Sequence, residues 1–121
     1  MNINIENIHI GDWLYYKNEP IKLTIDVICD KFINDNDNFA YIPLTSELLE
    51  ANGFWVDTSF DECTIKDENC ELILYYNILK ECWTYDAGDF IIYIKYISGL
   101  QALLRAFSFH TEIKPMEILK K

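Results

Sequence analysis

Glycine and proline are scarce in this chain, four and three residues of 121, and neither gathers into a run. That excludes collagen-like and linker-like compositions and leaves no glycine loop to cradle a phosphate. Positive charge is scarce too: ten lysines and arginines stand against twenty aspartates and glutamates, for a net charge of −10. A protein that tracks a nucleic-acid backbone needs the opposite balance, so direct nucleic-acid binding by an acidic face is disfavoured. No apolar run approaches the roughly 18 to 20 residues that cross a bilayer. Met1 to Glu6 also lack the basic stretch and apolar run of an export signal. The expectation is a cytoplasmic protein with no membrane contact.

Side chains for catalysis and metal binding are few. There are two histidines, His9 and His110, and four cysteines, Cys29, Cys63, Cys70 and Cys82. No C-x-x-C pair occurs and neither histidine lies at a structural-zinc spacing from a thiol, so no metal and no cofactor are expected. In a reducing compartment the thiols read as small buried hydrophobes. The signatures G-x-S-x-G and H-E-x-x-H are absent. Asp35-x-Asp37 opens like a calcium loop, but Ala40 and Ser46 occupy the positions that need glycine and a bidentate glutamate. The paired carboxylates Asp61-Glu62 and Asp67-Glu68, with Glu71, flank turns, whereas a glycosidase pair must face across a cleft. These features together read as a non-enzyme.

What the chain does contain is apolar: half its residues are hydrophobic and 15% are aromatic, enough to fill a core. Its length fits a single domain, residues 1–121. Ile8 to Tyr16 and Ile21 to Ile28 both alternate in strand fashion, and with Asn18-Glu19-Pro20 as a turn they read as a hairpin. Asn34 to Asn38 is a polar loop. Thr45 or Ser46 can cap a helix through Leu48 and Leu49, with Glu47 and Glu50 suited to its dipole and Asn52-Gly53 ending it after roughly two turns. Five β-rich runs follow, Phe54 to Thr58, Cys63 to Lys66, Leu72 to Leu79, Cys82 to Tyr85 and Phe90 to Ile94. The breaks between them are too short for crossover helices, so they form an antiparallel meander. Ile97, Leu100, Leu103, Leu104 and Phe107 fall at helical spacing, and Ser98 with Gln101 matches a capping box. The fold class is α+β, an antiparallel sheet of about five to seven strands with a short middle helix and a C-terminal helix packed on one face.

Three blocks, Ile8-His9-Ile10-Gly11-Asp12-Trp13-Leu14-Tyr15-Tyr16, Ile42-Pro43-Leu44-Thr45-Ser46-Glu47-Leu48-Leu49-Glu50-Ala51-Asn52-Gly53-Phe54 and Tyr96-Ile97-Ser98-Gly99-Leu100-Gln101-Ala102-Leu103, occur in this order. They resemble the "R-I-G-N-W-V" strand, the "I-P-L-T-E-E-W-L-x-x-F-G-F" helix and the "Y-V-H-x-L-Q-N-L" helix of a family of small proteins from phages and mobile elements of Bacteroidetes. They cover about a quarter of the chain. Ser98 stands where that family usually has histidine, and Phe107-Ser108-Phe109-His110 replaces its usual ending. The resemblance implies provenance and fold, and a phage setting in which inhibition of a host defence system is a function class.

Charge is unevenly placed. Asp26 to Asp89 holds fifteen acidic residues against Lys31, Lys66 and Lys80, whereas Lys95 to Lys121 is mildly basic. Such acidity serves solubility, or it forms a surface for a basic partner. Tyr and Trp are favoured interface anchors, and adjacent aromatics on a strand point to opposite faces, so some are exposed. The candidate partner-binding residues are Asp57, Asp61, Glu62, Asp67, Glu68, Glu71, Trp55, Tyr75, Trp83 and Tyr85. The reading is a small acidic protein of phage or mobile-element type that occupies a basic surface of a host effector in the bacterial cytoplasm, a CRISPR RNA-guided effector being the example. The alternative is a homo-oligomeric or virion-associated accessory domain without catalytic activity.

Overall fold

A computed structural model describes residues 3–66, 70–109 and 111–116. The first half builds a three-stranded antiparallel sheet in the order β2-β1-β3, from β1 (Trp13–Tyr16), β2 (Glu19–Lys22) and β3 (Phe39–Tyr41). Lys17 and Asn18, both at positive φ, form the two-residue turn between β1 and β2. That turn type matches the twist of the strands it joins and requires left-handed backbone at both positions. Pro20, foreseen in the turn, lies instead within the edge strand β2, where a missing N–H is tolerated.

Two sequence expectations fail here. Ile8 to Asp12 is not strand: the chain turns at Gly11, whose φ is +98°, and the Asp12 N–H donates to the His9 carbonyl. The second run is strand only to Lys22 and then becomes helix. Thr24 caps α1 (Ile25–Val27) by accepting from the Val27 N–H at 3.2 Å, and the helix continues as a π turn over Ile28–Phe32. Alternation would have buried Ile25, which is 64% exposed. Helical winding instead turns Leu23 and Phe32 into a small core with Ile3, Ile8, Leu14 and Phe39. The gain from that burial outweighs local β preference. Strand β3, unforeseen, pairs Tyr16 with Phe39 and Leu14 with Tyr41.

The second half is a five-stranded antiparallel meander in sequence order: β4 (Trp55–Asp57), β5 (Glu62–Lys66), β6 (Glu71–Asn77), β7 (Cys82–Asp86) and β8 (Ile91–Ile94). The α+β class is therefore as read, with the strands divided between two sheets. Thr45 caps α2 (Ser46–Ala51), accepting from the Leu48 N–H at 3.1 Å, and Gly53 at φ +88° lies just beyond its end. Helix α3 (Ile97–Ala106) buries Ile97, Leu100, Leu103 and Leu104. Both helices pack into one core with Cys63, Ile65, Leu72, Leu74, Trp83 and Ile94, which strand alternation places on one face of the meander.

The Ser98–Gln101 capping box does not form. The N-cap of α3 is Tyr96, which makes no side-chain cap, and Ser98 lies within the helix. Gln101 is used across the fold: its Oε1 accepts the Trp13 N–H at 3.0 Å and its Nε2 donates to the Gly11 carbonyl at 2.9 Å. One turn on, Arg105 Nη1 donates to Asp12 Oδ1 at 2.8 Å, while Asp12 Oδ2 accepts the His9 N–H. Asp12 is 1% exposed, so its charge depends on these partners.

Replacing Arg105 with alanine leaves a buried carboxylate without its cation. The expected loss is about 2 kcal/mol, below the cost of breaking a fully buried pair because the Arg105 side chain is 39% exposed. It is read as a lower urea midpoint at unchanged slope. Thr45→Ala removes the α2 cap and should cost about 1 kcal/mol by the same measurement.

Candidate functional site

Because the helices cover one face of the meander, the other face of each strand turns outward. Register then decides which side chains meet there. Trp55, Thr64 and Ile73 align across β4, β5 and β6. One step along, Asp57, Glu62, Tyr75, Thr84 and Tyr93 form a row across all five strands. Trp55 is 61% exposed, and Tyr75 and Tyr93 are also exposed. The outer face therefore carries aromatic rings between threonines, with two carboxylates at one end of its longest row.

Asp57 and Glu62 lie directly opposite each other on adjacent strands, both half-buried. Like charges in that position repel and destabilise the pair. Asp57 Oδ1 accepts the Ser59 N–H at 2.9 Å, which shapes the β4–β5 turn. Among the described residues the ion pairs are Lys22–Glu112, Lys66–Glu71 and Arg105–Asp12, so neither Asp57 nor Glu62 is neutralised.

The β4–β5 and β6–β7 turns lie at the same end of the meander, because every second turn of an antiparallel meander does. This end carries Phe60 at 71%, Ile78 at 70% and Leu79 at 96% exposure. Between these turns and the start of α2 is a cleft of about 360 Å³, lined by Glu47, Asp57, Asp61, Val56, Tyr76 and Trp83 among others. Tyr76 and Trp83 meet edge to face at 5.4 Å.

The sequence candidates divide accordingly. Trp55, Asp57, Glu62 and Tyr75 come together on the outer face or its edge, and Asp61 joins them in the β4–β5 turn. Glu71 shares that face at the opposite end, where Lys66 lies 3.5 Å away. Asp67 and Glu68 lie outside the described residues. Trp83 and Tyr85 are corrected: both point to the helix-covered face. Trp83 is buried in the core and Tyr85 is half-buried against the Phe107 ring at 5.4 Å. Their parity along β7 is opposite to that of Thr84, which faces out.

Phe60, Ile78, Leu79, Tyr93 and Glu47 were not among the candidates. The signal for the first three was an apolar residue within a turn, where polar residues normally sit. Reading β6 through to Leu79 as strand concealed it; the strand stops at Asn77.

The acidic segment does not converge on one face. Asp26, Asp30, Asp35 and Asp37 belong to the first half, and Asp86 and Asp89 lie at the far end of the meander. Asp35 accepts from the Tyr16 hydroxyl at 2.8 Å and from Asn38, which together hold its carboxyl below the usual range; the same bond raises the Tyr16 hydroxyl.

Burial pushes the Cys63 thiol up to about 12, so it stays protonated at neutral pH. Cys82 is buried and Cys29 is exposed. His9 is exposed, and His110 lies outside the described residues. Among the described residues no three His, Cys, Asp or Glu side chains gather to hold a metal ion, and no helix is long and apolar enough to cross a membrane.

Treating the folded protein with iodoacetamide at pH 7.5 should alkylate Cys29 while Cys63 stays unmodified until denaturant is added, as peptide mass spectrometry would read. No protein-family model, curated protein or solved structure matches this chain.

Proposed function

We propose that the chain is a binding protein whose outer meander face and adjoining turn end take a basic protein partner. The observation that carries this reading is the unneutralised Asp57–Glu62 pair beside exposed aromatic rings. Folding alone gains nothing from two carboxylates directly opposed, whereas a cation from a partner turns that repulsion into attraction. Trp55, Tyr75 and Tyr93 supply the large rigid contacts that anchor interfaces, and Phe60, Ile78 and Leu79 extend them onto the turns. Self-association through this face is opposed by its own charge, since two copies would bring like carboxylates together.

Three sequence blocks resemble a phage and mobile-element family, and that resemblance supports one class of partner. A host-defence effector in the bacterial cytoplasm, of the RNA-guided kind, holds nucleic acid in a positively charged channel. An acidic protein seated in such a channel excludes its substrate by occupancy, with no chemistry. The chain then acts as an inhibitor.

Two measurements test this. A host protein retained on the immobilised chain at about 50 mM salt should elute by about 500 mM, where the Debye length has shrunk to a few ångströms. The same protein should be lost from a Trp55→Ala/Tyr75→Ala variant. Retention indifferent to both changes would overturn the reading. In the isolated chain, Glu62→Gln should raise the thermal midpoint by up to about 5 °C by removing the cross-strand repulsion, while weakening retention. A lowered midpoint would mean that the carboxylate serves the fold.

A further inference from the structure

A sheet edge exposes backbone groups that another strand can take up, and proteins blunt such edges with charge, proline or brevity. Strand β2 carries Glu19, Pro20 and Lys22, while β3 and β4 have three residues each and β4 ends in Asp57. Strand β8 has no such device. Ile91-Ile92-Tyr93-Ile94 contains no charge, proline or glycine, and Ile91 and Tyr93 are 51% and 47% exposed. It is the last strand of the meander, so one of its sides has no paired strand. We propose that this edge pairs with the same edge of a second copy of the chain, antiparallel about a two-fold axis at Ile92, to join two meanders into one continuous sheet.

Backbone geometry decides which groups are free to pair. The Ala87 N–H donates to the Phe90 carbonyl at 3.0 Å, so Phe90, and by alternation Ile92 and Ile94, direct their backbone groups to β7. Ile91, Tyr93 and Lys95 direct theirs to the open side. There the Lys95 carbonyl already accepts the Leu44 N–H at 2.9 Å, which closes the edge beyond Tyr93. Two antiparallel copies bond through edge-facing residues, so the axis falls at Ile91, Ile92 or Tyr93. At Ile92, Ile91 of each copy stands opposite Tyr93 of the other and exchanges backbone bonds with it in both directions.

Charge selects that register. Near one end of β8 are the exposed Asp86 and Asp89; near the other are Lys95 and Lys80, whose Nζ lies 5.1 Å from the Tyr93 ring centroid. None of the four is ion-paired among the described residues. A groove of about 340 Å³ beside Tyr93 and Lys95 has no carboxylate in its lining, although the chain carries a net charge of −10. Pairing about Ile92 brings Asp89 of each copy to Lys95 of the other, at both ends of the contact. An axis at Ile91 would set Asp89 opposite Tyr93, and one at Tyr93 would set it opposite the buried Ile97. In the chosen register Ile91 packs on Tyr93 as a β-branched and aromatic pair. Asp57 and Glu62, whose charge opposes association through the outer face, lie on β4 and β5 and so far from the axis. The outer face stays open to a basic partner, and the pairing does not depend on one.

The intact chain alone provides the test. Sedimentation equilibrium at about 100 µM should give mostly dimer, corresponding to a dissociation constant on the order of 10 µM. Lys95→Glu and Asp89→Lys each set like charges together and should weaken association about tenfold, whereas Asp89→Lys/Lys95→Glu exchanges the two signs and should restore it. Asp89→Lys also reduces the net negative charge, so weaker association in that variant separates the local contact from general repulsion. In the unaltered chain, the Ile91 and Tyr93 amides should exchange with deuterium more slowly as concentration rises. A monomer at about 100 µM, a dimer indifferent to the single reversals, a double variant that stays as weak as the singles, or Ile91 and Tyr93 exchange that ignores concentration would each overturn the edge pairing. The exchange measurement needs no variant, so it decides even where a substitution disturbs the fold.

Discussion

Two polar side chains on α3 hold the molecule's halves in register. Arg105 and Gln101 reach from the helix into the Gly11–Trp13 turn, where Arg105 neutralises the buried Asp12 and Gln101 bonds one backbone donor and one acceptor. The adjoining side of the same helix carries Leu100, Leu103 and Leu104 into the core of the meander. A helix so committed cannot slide or rotate without exposing a charge or opening a cavity. Further backbone bonds, Leu44 N–H to the Lys95 carbonyl and Ile97 N–H to the Ile42 carbonyl, tie the segment between β3 and α2 to the start of α3.

That commitment leaves the meander covered on one face. A sheet with helices on both faces would bury Trp55, Tyr75 and Tyr93 and make them core residues. With helices on one face, the same alternation delivers them to water. Exposed aromatic rings are costly to leave in water and favourable to cover. Asp57 and Glu62 stand directly opposed at one end of that face, with no ion pair to either among the described residues.

The acidity of the chain divides into parts with different surroundings. Asp12 is satisfied internally, Glu71 and Glu112 have lysine partners, and Asp35 is held by a tyrosine and an asparagine. Glu47, Asp57, Asp61 and Glu62 make no such ion pairs among the described residues and lie around one end of the sheet.

The meander, a cap at Thr45 or Ser46, the Asn52-Gly53 stop and the buried stripe of α3 were legible in the amino-acid order, because each depends on residues within a few positions of one another. Period-two alternation marks a strand, a threonine oxygen reaches an N–H three residues on, and apolar residues three and four apart share a helix face. The outward position of Tyr75, and so the existence of an exposed aromatic row, follows from that parity once one face is known to be covered. Which face is covered was not legible, and Trp83 and Tyr85 were misplaced for that reason: both parities of β7 carry residues suited to a core. The helix at Ile25–Val27 was hidden because the alternating run also satisfies a helical spacing, and only packing of Leu23 and Phe32 against Leu14 and Phe39 decides between them. The opposition of Asp57 to Glu62 and the approach of Glu47 from a separate helix belong to tertiary structure alone, since register and helix placement are fixed by contacts between segments that the order of residues in each does not reveal.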